Sequence, residues 1–159
     1  MKAIMRFLLV YGGVVLGMAA CQSYQVPEFD KVIFNCQDKA IGKQSKYSYT
    51  IMVSPDQCNA VVKADEKTIA NRIYKLDKAQ FEQVKALSKK IEAPGNYNKM
   101  SPDAAFQEVT LMSKERIKYH LSWNKNYLPK PATTQFVQAI KDLVPDLDKL
   151  LNVLNTPTK

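Results

Sequence analysis

The sequence predicts an α+β fold, with a mostly antiparallel sheet of about five to six strands and two to three helices packed on one face of it. Short segments in which every second residue is apolar occur in pairs separated by turn residues, as expected for β-hairpins. Two later segments have apolar residues at helical spacing, and each of them follows one of these pairs. Strands joined mainly as hairpins favour an antiparallel sheet over a parallel one.

The first strands are predicted between residues 31 and 76. Residues 31–37 are rich in β-forming side chains, and residues 47–53 alternate between apolar and polar side chains, which indicates a half-buried strand. Turn-forming residues follow at 54–57. They lead into a hairpin that is predicted to turn at residues 65–67.

The first helix is predicted to begin after Asp77, which can cap it, with Gln80 completing a capping box. Leu76 and Phe81 have the spacing of a hydrophobic staple around that cap. The apolar stripe of the helix consists of Phe81, Val84, Leu87 and Ile91. The pair at residues 94–95, Pro followed by Gly, is expected to end the helix.

The second clear hairpin occupies residues 105–123 and is predicted to turn near residues 114–115. Its second strand alternates cleanly, which predicts that one face carries Ile117, Tyr119, Leu121 and Trp123. The helix after it is predicted to be capped by Thr133 or Thr134 and to end or kink at Pro145. A last short helix is expected beyond Pro145.

The two hairpin–helix units are similar to each other, which predicts a ββα quasi-repeat. The first unit reads VVKADEKTIANRIYKLDKAQFEQV and the second reads VTLMSKERIKYHLSWNKNYLPKPATTQFVQAI. Each helix opens with a Gln-Phe-x-Gln tetrad, at residues 80–83 in the first unit and at residues 135–138 in the second.

The first 20 residues have the pattern of a signal peptide. Lys2 and Arg6 precede an uncharged stretch of 14 residues, Phe7 to Ala20, which ends in small side chains. A membrane-spanning helix needs about 20 apolar residues, so this stretch is too short to span a bilayer. Cleavage is predicted either before Ala20, as by an ordinary signal peptidase, or directly before Cys21.

The four residues Met18-Ala19-Ala20-Cys21 resemble the lipobox of bacterial lipoproteins, in which a cysteine follows an apolar residue and two small ones. The family usually has Leu at the position of Met18. The resemblance implies cleavage before Cys21, a diacylglyceryl group on its sulfur and an acyl group on the new amino terminus. Because Gln22 is not the aspartate commonly used for inner-membrane retention, the resemblance also implies an outer-membrane lipoprotein, facing the periplasm or exposed at the surface.

The chain has three cysteines, a number that fits this interpretation. If Cys21 carries lipid, Cys36 and Cys58 remain. We expect these two to form a disulfide, because one ends a predicted strand and the other begins another. A disulfide is typical of an oxidising compartment, which favours a periplasm over the surface of a Gram-positive cell. A plainly secreted protein with an unpaired Cys21 is the alternative.

A single domain is predicted at residues 30–155, preceded by a signal peptide at residues 1–20 and a lipidated tether at residues 21–29. Residues 156–159 are expected to form a loose tail. Cleavage before Cys21 would leave 139 residues. That length suits one domain with one hydrophobic core.

The charge of the chain excludes some functions. There are 23 basic and 15 acidic residues, and lysine supplies nearly all of the positive charge. Few arginines, together with export, argue against nucleic-acid binding. His120, the single histidine, is predicted to lie on the solvated face of its strand, so no metal site is expected. Glycine is scarce, which argues against a nucleotide site, and no cofactor is expected.

The function expected from these features is that of a lipid-anchored, non-catalytic binding module of the cell envelope, with an envelope protein as partner. A recognition surface is predicted in two polar loops that place tyrosines among lysines, at Tyr97, Lys99, Lys125 and Tyr127. The alternatives are a small envelope hydrolase acting on glycan or lipid, and a lysine-rich domain that docks on anionic lipid. The sequence leaves the oligomeric state open.

Overall fold

A computed structural model of the chain describes residues 26–38, 47–92, 105–125 and 129–152. The strands are β1 (Lys31–Gln37), β2 (Tyr47–Val53), β3 (Gln57–Ala64), β4 (Lys67–Lys75), β5 (Phe106–Ser113) and β6 (Arg116–Asn124). The helices are α1 (Lys78–Ser88), α2 (Pro131–Asp142) and α3 (Leu147–Asn152). The strands form one antiparallel sheet in the order β4-β3-β2-β1-β5-β6, which confirms the predicted α+β class.

The hydrophobic core lies between one face of the sheet and the helices. At the centre of the sheet, Phe34 on β1 faces Ile51 on β2 and Val109 on β5, and all three side chains are fully buried. The side chains that directly precede and follow each of them in its strand point to the opposite, open face of the sheet. There Thr50 donates a hydrogen bond of 3.1 Å to the side-chain oxygen of Asn35. Burial of one face of the sheet therefore explains the alternation of apolar and polar residues in β1 and β2, as predicted.

Both hairpins, β3–β4 and β5–β6, turn through two non-glycine residues with positive φ, at Asp65–Glu66 and at Lys114–Glu115. Positive φ at both central residues is the geometry of a type I′ turn, whose twist matches that of the flanking strands. Each hairpin also has a β-bulge three residues after its turn. The unpaired residue is Ile69 in the first hairpin and Lys118 in the second.

The position predicted for Ile117 is wrong because of the bulge in β6. An extra residue in one strand shifts the side-chain alternation by one position, so residues on either side of it point to faces that simple alternation does not predict. Leu121 and Trp123 lie in the core as expected, but Ile117 pairs with Met112 on the open face and is 65% exposed.

The predicted quasi-repeat is seen in the turns and bulges. A shift of 49 positions matches the first turn residue of each hairpin, Asp65 with Lys114, and the same shift matches the bulged residues, Ile69 with Lys118. The helices that follow the hairpins, α1 and α2, both contain the tetrad noted in the sequence, and its phenylalanine is buried in each.

The correspondence extends to the two central strands. Tyr49 on β2 pairs with Val62 on β3, and Val32 on β1 pairs in the same way with Leu111 on β5. Because β1 and β2 also pair with each other antiparallel, the whole sheet has an approximate two-fold axis perpendicular to it, close to Phe34. One half consists of β2, β3, β4 and α1, and the other of β1, β5, β6 and α2.

The helix α1 begins as predicted. The Asp77 carboxylate accepts a hydrogen bond of 2.8 Å from the Gln80 backbone N–H, and the Gln80 side chain accepts one of 3.0 Å from the Asp77 N–H. In contrast, α2 begins at Pro131, so Thr133 lies inside the helix instead of capping it. The Thr133 hydroxyl donates to the carbonyl of Glu92 at 2.9 Å and accepts from its N–H at 3.1 Å, which links the segment after α1 to α2.

Residues 26–29, predicted as part of the tether, pack on the domain. Phe29 is only 6% exposed, and its ring meets the ring of Phe81 edge-on, with 6.1 Å between centroids. The chain then enters β1 beside the turn of the β5–β6 hairpin, where the Lys114 N–H donates to the Asp30 carboxylate at 3.0 Å. The N-terminal segment therefore joins the domain at the end of the sheet where β1 begins.

The structure corrects the predicted disulfide, because Cys36 and Cys58 are both free, buried thiols. Cys36 ends β1 and Cys58 begins β3, with β2 between them. Since β1 and β3 run in the same direction, the end of one and the start of the other lie at opposite ends of the sheet. From the register, their Cα atoms are about 16 Å apart by strand spacing and rise, whereas a disulfide requires less than about 7 Å.

Candidate functional site

The candidate site is a cavity at the end of the sheet where β1 and β6 end and β2 and β5 begin. It has a volume of about 270 Å³ and is lined by Cys36, Asp38, Tyr47, Tyr49, Gln107, Lys125, Lys141 and Leu151. A second cavity of about 460 Å³ adjoins it and shares Tyr49, Lys141 and Leu151. The strands and the residues directly after β1 and β6 supply most of the lining of the first cavity. The helices α2 and α3 and the segment between them supply most of the second.

An ion pair lies at the outer edge of the smaller cavity. The Lys125 ammonium contacts both carboxylate oxygens of Asp38 at 2.6 Å. Burial opposes the charge of Lys125, but the hydrogen bond and the attraction of Asp38 outweigh it and raise the pKa of the ammonium. The hydroxyl of Tyr47 is also hydrogen bonded to Asp38, and this bond, followed by burial, raises the pKa of Tyr47. Asp38 is therefore occupied by two donors of the chain itself.

Three side chains from neighbouring strands meet deeper in the cavity. Gln107 lies opposite Cys36 on the adjacent strand, and its amide donates to the Cys36 sulfur at 3.7 Å. Burial is the main cause of the raised pKa of Cys36, and the hydrogen bonds from Tyr49 and Gln107 only partly offset it. The pKa of Tyr49 is also raised, mainly by burial. At neutral pH the thiol is therefore protonated and unsuited to nucleophilic attack, which requires the thiolate.

Lys141 occupies the junction of the two cavities. Its ammonium lies 5.6 Å from the centroid of the Phe34 ring, a distance that allows a cation–π contact. The salt bridges seen among the described residues involve other cations, namely Lys31, Lys85, Lys125 and Lys130. Lys141 therefore brings to the cavity a positive charge that no carboxylate of the described residues neutralises by direct contact.

The larger cavity is lined by apolar side chains and by two carboxylates. Its apolar lining comes from Val144, Pro145, Leu147 and Leu151. Asp142 and Asp148, both exposed, also line it, and Asp142 accepts a hydrogen bond of 2.7 Å from the Gln138 amide. A ligand that extended from the smaller cavity into this one would pass from a positively charged region along an apolar wall.

The approximate two-fold axis provides an internal comparison for this site. The position of Tyr49 corresponds to that of Val32 in the other half, and the position of Gln107 corresponds to that of Cys58. By the same correspondence, the position of Lys125 is occupied by Leu76. Val32, Cys58 and Leu76 are all buried, so the fold accepts apolar side chains at these positions. The polar lining of the cavity is therefore a feature of one half of the domain and not a requirement of the fold.

Of the four residues predicted to form a recognition surface, Lys125 is the one that the structure describes, and it lines the cavity. Tyr97, Lys99 and Tyr127 lie outside the described residues, as does Cys21, the predicted lipidation site. The cavity residues Tyr49, Gln107 and Lys141 were not singled out by the sequence. One signal was available for Gln107, because a glutamine occupies a core-facing position in the alternating strand β5.

His120 lies on the open face of the sheet, away from the cavity. It is exposed, and its Nδ1 atom is 3.0 Å from the Thr110 hydroxyl on the neighbouring strand. The position agrees with the solvated face predicted for it. Glu108 is on the same open face, where its carboxylate accepts a hydrogen bond of 3.0 Å from Asn35.

Within the described ranges, no cluster of three or more histidine, cysteine, aspartate or glutamate side chains could hold a metal ion. In that same part of the chain, no helix combines the length and apolarity needed to cross a membrane. In the comparisons with known proteins, no family model, curated protein or solved structure matches the chain.

Proposed function

We propose that the chain is a lipid-anchored lipoprotein of the bacterial outer membrane whose domain is a binding module, with its binding site in the cavity between the sheet end and α2–α3. The support for the anchor is the sequence of residues 1–22, which resembles the export and lipidation signal of such proteins. With Cys36 and Cys58 free, the periplasmic location rests on that signal and no longer on a disulfide.

The observation that carries the binding role is the position of the cavity relative to the N-terminal segment. The chain enters β1 at Lys31, and the cavity begins at Cys36 and Asp38, at the other end of that strand. The length of β1 separates the two by about 20 Å. A domain held by its N-terminus would thus direct the cavity away from the membrane.

The state of the cavity side chains supports binding over catalysis. Burial keeps the Cys36 thiol protonated, and Asp38 keeps Lys125 charged. General acid–base catalysis needs a group whose pKa lies near the working pH, and the pKa shifts seen in this cavity move Cys36, Tyr47 and Lys125 further from neutrality. His120, the residue on which a hydrolase could most readily depend, lies on the other face of the sheet.

Lipidation is tested by feeding cells an alkyne-tagged palmitate and comparing the full chain with its Cys21→Ser variant. We expect the tag and membrane fractionation for the full chain, and loss of both for Cys21→Ser. Cys36→Ser serves as the matched control and should keep the tag. If Cys21→Ser is still tagged and still fractionates with membranes, the anchor is not at Cys21.

The binding role is tested in the same cells by replacing single residues with a photo-crosslinking amino acid. We expect specific crosslinked products from Gln138, which lines the larger cavity, and none from Lys114, in the turn beside the N-terminal segment. Crosslinking from Lys114 alone would mean that the cavity end is not the binding end.

A further inference from the structure

We propose that the cavity binds a small ligand that carries one negatively charged group on an apolar body, with the charged group beside Lys141 and the apolar body against Leu151. This inference rests on the proposed binding role and specifies its ligand. The shared chemistry is a carboxylate or a phosphate joined to a hydrocarbon portion.

The charge of the smaller cavity supports an anionic group. Lys125 and Asp38 neutralise each other through two contacts of 2.6 Å. Lys141, over the ring of Phe34, then leaves the cavity with one excess positive charge among its described lining residues. A charge-assisted hydrogen bond from an ammonium to an anion is about twice as strong as a neutral one, and partial burial strengthens it further.

The apolar body is inferred from the larger cavity. Leu151 is shared by both cavities, and Val144, Pro145 and Leu147 continue the apolar wall beyond it. Volumes of about 270 and 460 Å³ are within or close to the range of sites for small molecules. Burying hydrocarbon against this wall would add about 25 cal/mol for each Å² removed from water.

The two carboxylates of the larger cavity limit the ligand to one negative charge. Asp142 and Asp148 both line that cavity. A second anionic group of the ligand, if placed in that cavity, would come close to these carboxylates and be repelled. A neutral or positively charged group there would not be repelled.

The comparison of the two halves shows that the polar lining is specific to the cavity end of the domain. The half that lacks this cavity lining has Val32 and Cys58 where the site has Tyr49 and Gln107, and both apolar residues are fully buried. Replacing apolar core residues by polar ones weakens a core unless their hydrogen bonds are satisfied. Tyr49 and Gln107 meet this condition by hydrogen bonding to Cys36, so the cavity end keeps a polar lining that the other half of the domain does not have.

The experiment uses the full lipidated chain in nanodiscs of uncharged lipid, with the fluorescence of Trp123 as the signal. Trp123 is the single tryptophan of the chain and is paired with Gln107 in the sheet, so it reports on the cavity end. The probes are hexanoate and hexyl phosphate, with hexanol and hexylamine as the uncharged and cationic controls, and adipate as the control with a second carboxylate.

We expect saturable fluorescence changes with hexanoate, hexyl phosphate or both, which distinguishes a carboxylate from a phosphate ligand. Adipate should bind more weakly than hexanoate, and neither hexanol nor hexylamine should give a saturable change. Lys141→Met should weaken binding by about tenfold or more. Lys141→Arg should retain binding, and Lys149→Met, an exposed lysine of α3, should leave it unchanged.

The proposal is overturned if neither acid gives a saturable change, if hexanol or hexylamine binds as well as hexanoate, or if Lys141→Met binds like the unaltered chain. Thermal unfolding of each variant, followed by circular dichroism, shows whether a loss of binding is caused by a loss of folding. Lys141→Arg, which keeps the charge, is a second variant of the same position in which binding and folding can be compared. Crosslinking from Gln138 without a response to either acid would leave the binding role in place and reject this ligand class. If the lipidation test shows that Cys21 carries no lipid and the chain still responds to the acids, the ligand site is retained and the anchored role is rejected.

Discussion

Cys36 and Gln107 face each other across β1 and β5, and the equivalent pair in the other half of the domain is Val53 and Cys58. Each buried cysteine thus belongs to one of two symmetry-related pairs, at opposite ends of the sheet. The same relationship that keeps the two thiols apart also identifies Gln107 as one of the residues that make the cavity end polar.

The two thiols are predicted to be free in the folded protein. Alkylation after denaturation without reductant should modify both Cys36 and Cys58, whereas alkylation of the native protein should be slow, because both are buried and burial raises the pKa of Cys58 to about 12. The measurement is intact mass, with Cys58→Ala as the control that should lose one modification. A greater number of alkylated cysteines after reduction would reveal a disulfide.

The bulge at Lys118 predicts very different effects for two residues of β6. Ile117→Ala should change the free energy of unfolding by no more than about 0.5 kcal/mol, as for an exposed side chain. Leu121→Ala should lower it by about 2–5 kcal/mol, because a buried leucine is removed. Urea unfolding of both variants makes the comparison. Similar losses in the two would mean that Ile117 is buried and that the strand alternates without a bulge.

The capping box at the start of α1 should contribute measurably to stability. Asp77→Ala removes the acceptor for the Gln80 N–H and should lower the free energy of unfolding by about 1 kcal/mol. Glu82→Ala, an exposed position inside the same helix, is the matched control and should have little effect. The measurement is urea unfolding followed by circular dichroism, and an equal effect of the two substitutions would speak against the cap.

Tyr74 is expected to make stability fall at high pH. Its hydroxyl donates to the Asp146 carboxylate, and burial, followed by this hydrogen bond, raises its pKa to about 12. A pKa that is higher in the folded than in the unfolded state contributes stability that is complete below about pH 10, the unfolded value, and is lost as the pH rises towards 12. Stability falls as the pH rises because the Tyr74 hydroxyl loses its proton at a lower pH in the unfolded chain than in the folded one.

This alkaline effect is tested by measuring the urea midpoints of the full chain and of Tyr74→Phe at pH 9 and pH 11. The first pH lies below the unfolded pKa of about 10, and the second lies between that value and the folded pKa of about 12. The difference in stability between the two proteins should be smaller at the higher pH. Tyr119→Phe, on the other edge strand, provides a comparison for the general alkaline response. An unchanged difference between the proteins would show that the Tyr74 proton is not coupled to folding.

Local patterns in the sequence were sufficient for much of the fold. The capping box at Asp77 and the alternation of β1 and β2 depend on neighbouring residues, and the structure confirms both. The predictions for Ile117 and for the start of α2 were wrong because a bulge and a proline start change the position of side chains without changing the composition of the segment. For the disulfide, the sequence showed that one cysteine ends a strand and another begins one, but not that the two strands run in the same direction.

For this chain, residue order alone was enough to predict the class of fold and the two hairpin–helix units, because each depends on contacts or spacings within a short segment. The cavity depends on pairing between distant strands, which brings Cys36 beside Gln107 and both of them near Lys141. Such pairing is set by the register of the whole sheet and by the packing of α2 and α3 on it. For that reason, the tertiary structure was needed to place the polar groups together at one end, and to show that the equivalent positions at the other end are apolar.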